Sequence, residues 1–251
     1  MAGACLRKFK LALICSLIGI ISMPTHGQNS RANGECVILL HGLARSNHSM
    51  RPLQTTLQTH YTVVNRTYPS RKHSIEKLAK ESIEESLAQC EGADRIHFVT
   101  HSLGGILVRQ YLATNTIENL GHVVMLGPPN NGSELVEYFQ TSQVGSWLFQ
   151  LANGPAGNQI GIGPNSLPQQ LGPVDFSVGV IAGNTSYNPL FSKVISGDDD
   201  GKVSVSSSKV AGMQDHIVVA ASHTFMMRNQ QVISQVKHFL SNGRFEHERS
   251  Q

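Results

Sequence analysis

The chain has 251 residues, enough for an α/β domain with a sizeable core, which excludes a short scaffold held by disulfides alone. Apolar side chains make up 40% and charged ones 15%, with 23 glycines and 10 prolines scattered without period, which excludes disordered, collagen-like and coiled-coil classes. The formal charge of +3 comes from Arg7, Lys8 and Lys10; the remainder carries 17 basic and 17 acidic residues and offers no cationic footprint for nucleic acid.

Those three charges open the chain-order reading. They precede an apolar run over residues 11–23, and Pro24 and the small residues Thr25 and Gly27 follow it. This is the pattern of a secretory signal, with cleavage expected after Gly27 and residues 28–251 forming the mature domain. The apolar run is shorter than the roughly 20 residues of a spanning helix, and an uncleaved membrane anchor is the alternative. The expected location is therefore periplasmic or secreted. Export would leave two cysteines, Cys36 and Cys90, in an oxidising compartment. Each stands at the start of a strand-like run or just before one. If those strands are near neighbours in a parallel sheet, a Cys36–Cys90 disulfide becomes feasible; two separate buried thiols are the alternative.

Val- and Ile-rich runs predict strands at residues 36–40, 61–64, 96–100, 123–126, 178–182 and 217–221. Helical patterns fall between them at 50–58, 75–89, 105–113, 134–140 and 225–240. In the second of these, Ile75, Leu78, Ala79, Ile83 and Leu87 recur at three- and four-residue steps, with Glu76, Lys77, Lys80, Glu81 and Glu84 on the other face. Short buried strands alternating with amphipathic helices predict an α/β fold, a mostly parallel sheet of about six strands with helices on both faces. Residues 141–173 break the rhythm: they are rich in glycine and proline and contain the only tryptophan, Trp147. A loop of that length reads as a cover over a site.

Chemistry enters at Thr100-His101-Ser102-Leu103-Gly104-Gly105. A strand runs into a small-residue turn with Ser102 at its apex and then into a helix. Such a turn holds the hydroxyl clear of its own backbone, at a helix amino terminus where N–H groups and the dipole favour an oxyanion. Thr100 stands where the usual G-x-S-x-G pattern has its first glycine. Upstream, the strand Val37-Ile38-Leu39-Leu40 ends in His41-Gly42-Leu43.

With these two elements the sequence resembles the α/β-hydrolase superfamily, and within it the lipases and esterases, over nearly the whole mature chain. The resemblance implies Ser102 as nucleophile, with the backbone N–H groups of Leu43 and Leu103 as the oxyanion hole and His41 as a structural residue of its loop. It also implies the chain order serine, acid, histidine. His101, His122, His216, His223, His238 and His247 lie beside Ser102 or after it, and His223, following the last strand run, falls at the carboxyl edge of the sheet. His216 precedes that run and falls at the opposite edge. The acid is sought among Asp198, Asp199 and Asp200. Similar lipases carry an Asp-Gly-x-Val turn there, which selects Asp200 as the residue directly before Gly201. The other two carboxylates belong to a solvated loop or, alternatively, to a calcium site. Residues 127–133, with two prolines and two glycines, read as a turn without assigned chemistry.

The expected activity is cleavage of carboxylic esters of acyl or lipid type through a Ser102–His223–Asp200 triad, with no metal or organic cofactor. Acyl transfer, amide cleavage and a non-catalytic binding module on the same scaffold are the alternatives. The expected partner is a small or lipid ester, with transient contact to a membrane surface. The apolar residues Val144, Trp147, Leu148, Phe149 and Leu151, set among Gly145, Gly154, Gly157, Gly161 and Gly163, suggest a bendable apolar cover that favours medium or long acyl chains.

Overall fold

A computed structural model describes Met1 and residues 34–141 and 153–247. Six strands form one sheet, β1 Glu35–Leu40, β2 Thr62–Asn65, β3 Arg95–His101, β4 Leu120–Leu126, β5 Val178–Gly183 and β6 Asp215–Val219. Their spatial order is β2-β1-β3-β4-β5-β6, and every pair is parallel. Helices α1 Arg51–Leu57, α2 Ile75–Leu87, α3 Leu103–Leu112, α4 Glu134–Thr141 and α5 Gln230–Asn242 connect or follow the strands. This is the α/β-hydrolase fold.

The two faces of the sheet follow from the two-residue period of a strand. In β1, Cys36, Ile38 and Leu40 point into a core shared with Ile75, Leu78 and Ile83 of α2 and Ile106 and Leu107 of α3. Val37 and Leu39 point into the opposite core, with Leu53 and Leu57 of α1 and Val232, Val236 and Phe239 of α5. Helices cover both sides, so the central strands carry few polar residues, and their backbone groups find partners mainly in the ladder. No helix among the described residues is long and apolar enough to cross a membrane. Residues 2–27 of the expected signal lie outside the described residues.

Among the boundaries that differ from the sequence reading, three lie close to the residues expected to carry chemistry. The helix expected at 105–113 begins at Leu103, because the turn at Ser102 takes a single residue. The strand expected at 217–221 runs Asp215–Val219, which puts His216 inside β6 opposite Val180 rather than ahead of it. The long helix expected at 225–240 is divided. Met226–Arg228 forms a short 3-10 turn, Asn229 is extended, and its side-chain oxygen accepts from the Gln231 and Val232 amides at 2.9 and 3.2 Å to start α5 afresh.

Of the two readings of the cysteines, the structure has the bonded one. Cys36 is the second residue of β1, Cys90 ends a short 3-10 turn after α2, and the two buried residues form a disulfide with Cα atoms 5.8 Å apart. It closes a loop across a sequence separation of 54 residues. Chain-entropy arguments assign such a loop about 4 kcal/mol of stabilisation. Urea titrations with and without reductant should therefore differ by several kcal/mol, and coincident curves would show that the bond contributes nothing to stability.

Candidate active site

β3 ends at His101, and Ser102 follows with φ 54° and ψ −120°. A non-glycine residue held there costs about 1–3 kcal/mol and persists only where its surroundings enforce it. Here the Ser102 N–H donates to the Leu126 carbonyl at the end of β4 at 2.8 Å, and the Ser102 carbonyl accepts from Gly105 at 3.0 Å. α3 then starts immediately against the sheet. Gly104 makes this approach feasible, because a Cβ on it would lie 2.7 Å from the Leu40 carbonyl oxygen. Thr100, standing in the place of a glycine, is fully buried beside Gly105, and its hydroxyl donates to the Val124 carbonyl at 3.4 Å. The missing glycine of the motif is thus replaced by a side chain with a partner.

The loop after β1 lies directly on this turn: a Cβ at Gly42 would come within 3.2 Å of the Ser102 Cβ. Leu43 consequently borders the same cavity as Ser102, and Leu103 is the first residue of α3. His41 supports the loop from below. Its Nδ1–H donates to the Gly42 carbonyl at 2.8 Å, its Nε2 accepts from the Tyr68 amide at 3.2 Å, and the two rings stack at 3.9 Å. Burial holds this imidazole below its usual pKa, in keeping with a neutral structural ring.

Asp200 and His223 meet at the cavity that Ser102 also borders. The His223 Nδ1–H donates to Asp200 Oδ2 at 2.8 Å, and the His223 backbone N–H donates to the Asp200 carbonyl, also at 2.8 Å. The second carboxylate oxygen of Asp200 accepts from the Lys202 and Val203 amides at 3.0 and 2.9 Å. Both residues are buried. Gly127, at φ 52°, clears the space, since a Cβ there would lie 2.8 Å from Asp200 Oδ2. The three adjacent acids are divided by geometry. Asp199 turns to the Gly201 amide at 2.6 Å and the Ser192 hydroxyl at 3.1 Å, and Asp198 is exposed. Among the described residues, no group of three or more His, Cys, Asp or Glu is arranged to hold a metal. His216, on β6, has its Nε2 3.3 Å from the Ser208 hydroxyl and does not border the cavity that holds Ser102.

Sequence reasoning counted His101 only as a competing base. In the structure it is buried, its Nε2–H donates to the backbone carbonyl of His223 at 2.9 Å, and the two rings lie 4.7 Å apart. Burial first, and the nearby positive groups second, hold it well below the usual histidine pKa, so it stays neutral and fixes the main chain of His223. Its place directly before the serine was the available signal; the partner, 122 residues away, was not.

Ser102 and His223 open onto one cavity of about 290 Å³. Leu135, Val136, Phe139, Ile160 and Phe191 form an apolar wall, with Arg45 and Lys202 at the polar side. A larger opening of about 380 Å³, bordered by Glu76, Glu137 and Gln159, contains no nucleophile with a base. Of residues 141–173, the stretch 142–152, with Gly145, Val144, Trp147, Leu148, Phe149 and Leu151, lies outside the described residues. The rest is tied down. Gln159 accepts from the Ile75 amide at 2.7 Å, and Arg109 donates to the Pro168 and Gly172 carbonyls at 3.1 and 2.7 Å. Gly154, at φ 66°, lies against the Arg71 carbonyl, which a Cβ would meet at 1.8 Å.

No curated protein matches the chain. Among solved structures, the propeptide form of a lipase from Bacillus licheniformis superposes with a TM-score of 0.66 at 16% identity, covering 90% of this chain and 54% of that one, so the chain spans about half of that form. The mature form of the same lipase gives 0.61 at 16% identity, over 82% of this chain and 91% of that one. A phospholipase from Legionella pneumophila gives 0.55 at 20% identity, over 70% and 45%. At these identities the likeness speaks for the fold. A sequence profile described as palmitoyl protein thioesterase matches residues 36–161, from the start of β1 past the serine turn and into the segment that borders the cavity. With that match over half its length and this sheet beneath it, the chain belongs to the palmitoyl protein thioesterase family of the α/β-hydrolase superfamily.

Proposed function

We propose that the protein is a serine hydrolase that cleaves acyl esters or thioesters through Ser102, His223 and Asp200. The observation that carries this reading is the buried 2.8 Å contact between His223 and Asp200 beside a cavity that also exposes Ser102 at a strained turn. The Ser102 hydroxyl oxygen bonds to the acyl carbon as His223 Nε2 takes its proton, and Asp200 steadies the imidazolium. The carbonyl oxygen becomes an oxyanion facing the N–H groups of Leu43 and Leu103. Collapse of this intermediate expels the alcohol or thiol, which takes the proton from His223. Water, deprotonated by the same ring, then releases the acid and restores Ser102.

The family name and the apolar wall both support a long acyl group. Each buried methylene contributes about 0.8 kcal/mol, roughly fourfold in binding. Across nitrophenyl esters from acetate to palmitate, kcat/KM should rise through medium chain lengths, and Phe139→Ala should flatten that rise. A steady fall from acetate onward would leave a short-chain esterase. A fluorophosphonate probe should label the protein stoichiometrically at Ser102; absence of labelling in folded protein would remove the hydrolase reading.

Export to an oxidising compartment is part of the proposal, and the Cys36–Cys90 bond supports it. So is transient contact with a lipid surface, supported by the exposed Tyr187 and Leu190 next to the cavity residue Phe191.

A further inference from the structure

The acyl wall accounts for one side of the cavity and leaves its cations unexplained. Arg45 and Lys202 border the space in front of Ser102, and no Asp or Glu does among the described residues. Residues 142–152 contain no charged side chain, so no counter-ion can come from that stretch. A second cavity, of about 470 Å³, shares Ala44 and Arg45 with the first and continues away from it. Ser46, His48, Ser49 and Thr224 line it together with Arg228, whose guanidinium carbon lies 5.9 Å from the centroid of the exposed Phe225 ring. No carboxylate among the described residues lies within ion-pair distance of Arg45, Lys202 or Arg228. The nearest acid to act on Lys202 is Asp200, whose two oxygens already serve His223 and two backbone amides. Burial first, then the like charge of Arg45, hold the Lys202 ammonium below its usual pKa, while Asp200 opposes them.

Chemistry decides which part of a substrate meets these cations. The leaving atom must sit against His223 to receive its proton, and Thr224 and Phe225, which line the second cavity, directly follow His223 in the chain. The acyl tail is drawn to the apolar wall. The leaving group is therefore directed into the polar, cationic cavity.

We propose that the preferred substrate is an acyl ester or thioester whose leaving group carries an anion, a phosphate or a carboxylate, received by Arg45, Lys202 and Arg228. This rests on the serine hydrolase reading above. An anion placed there gains charge-assisted hydrogen bonds and relieves the repulsion between Arg45 and Lys202, neither of which has a carboxylate within ion-pair distance among the described residues.

The test compares three octanoyl esters of a nitrophenol: one neutral, one with a ring carboxylate and one with a ring phosphate. At low ionic strength the parent protein should give higher kcat/KM on at least one anionic ester than on the neutral one, and added salt should shrink the difference. The double variant Arg45→Gln, Arg228→Gln should lower the anionic-to-neutral ratio about tenfold, the scale of two partly desolvated charge contacts. Taking the ratio within each variant cancels any disturbance of the triad. Lys77→Gln, at an exposed pair on α2, controls for net charge and should leave the ratio in place. A parent that prefers the neutral ester, or a ratio that the double variant does not change, would overturn the proposal. Turnover of none of the esters together with no fluorophosphonate labelling would overturn the hydrolase reading, and the proposal with it.

Discussion

Replacing Ser102 by alanine should abolish ester hydrolysis, lowering kcat by about a million-fold, the scale seen when a triad nucleophile is removed and only binding and the oxyanion donors remain. The fold should survive, because the hydrogen bonds that hold the turn use the Ser102 backbone: its N–H to Leu126 and its carbonyl to Gly105. Circular dichroism and thermal melting of the variant should match the parent. A glycine at the same position separates chemistry from strain. With no Cβ to resist φ 54°, Ser102→Gly should be inactive and yet more stable by about 1 kcal/mol. Retained hydrolysis in either variant would reject Ser102 as the nucleophile, and a less stable glycine variant would reject the strain argument.

The second large effect is expected at the pair behind the serine. In Asp200→Asn, the two amides of Lys202 and Val203 select the side-chain oxygen, since they donate to that position in the parent. The new NH₂ group is then turned toward His223 Nδ1, where it can only donate. His223 must respond by carrying its proton on Nε2, the atom that has to accept from Ser102. A fall in kcat of about ten-thousand-fold follows, of the size known for the wrong tautomer in such triads. His223→Ala should do at least as much damage. His216→Ala should stay within about threefold of the parent, since the half-buried His216 contacts Ser208 and does not border the cavity that holds Ser102. Steady-state kinetics on one nitrophenyl ester checks all three; equal losses at His216 and His223 would break the assignment of the base.

These expectations differ in how far the chain itself announced them. The six-strand alternation and the cores on both faces were legible, because burial with a two-residue or 3.6-residue period is a local property of sequence. The serine turn was legible for the same reason. Its strand, small residues and helix are contiguous, and Gly104 declares the close approach that Leu40 then requires. Helix and strand ends were read less well, as the division at Asn229 illustrates: a side-chain cap two residues deep outweighed a continuous apolar pattern.

What lay beyond the sequence were the contacts between distant segments. Asp200 was singled out among the three aspartates at 198–200 only through a resemblance in its turn; its contact with His223, and the partners Gly201 and Ser192 that occupy Asp199, come from the tertiary structure. The bond between Cys36 and Cys90 depended on β1 and β3 being neighbours. The role of His101 depended on a carbonyl 122 residues ahead, and the cationic cavity on Arg45 and Arg228 arriving at one place from opposite ends of the domain. Periodicity records which side of an element is buried; it does not record what waits on the other side, and that was decided by the order in which the sheet placed its strands.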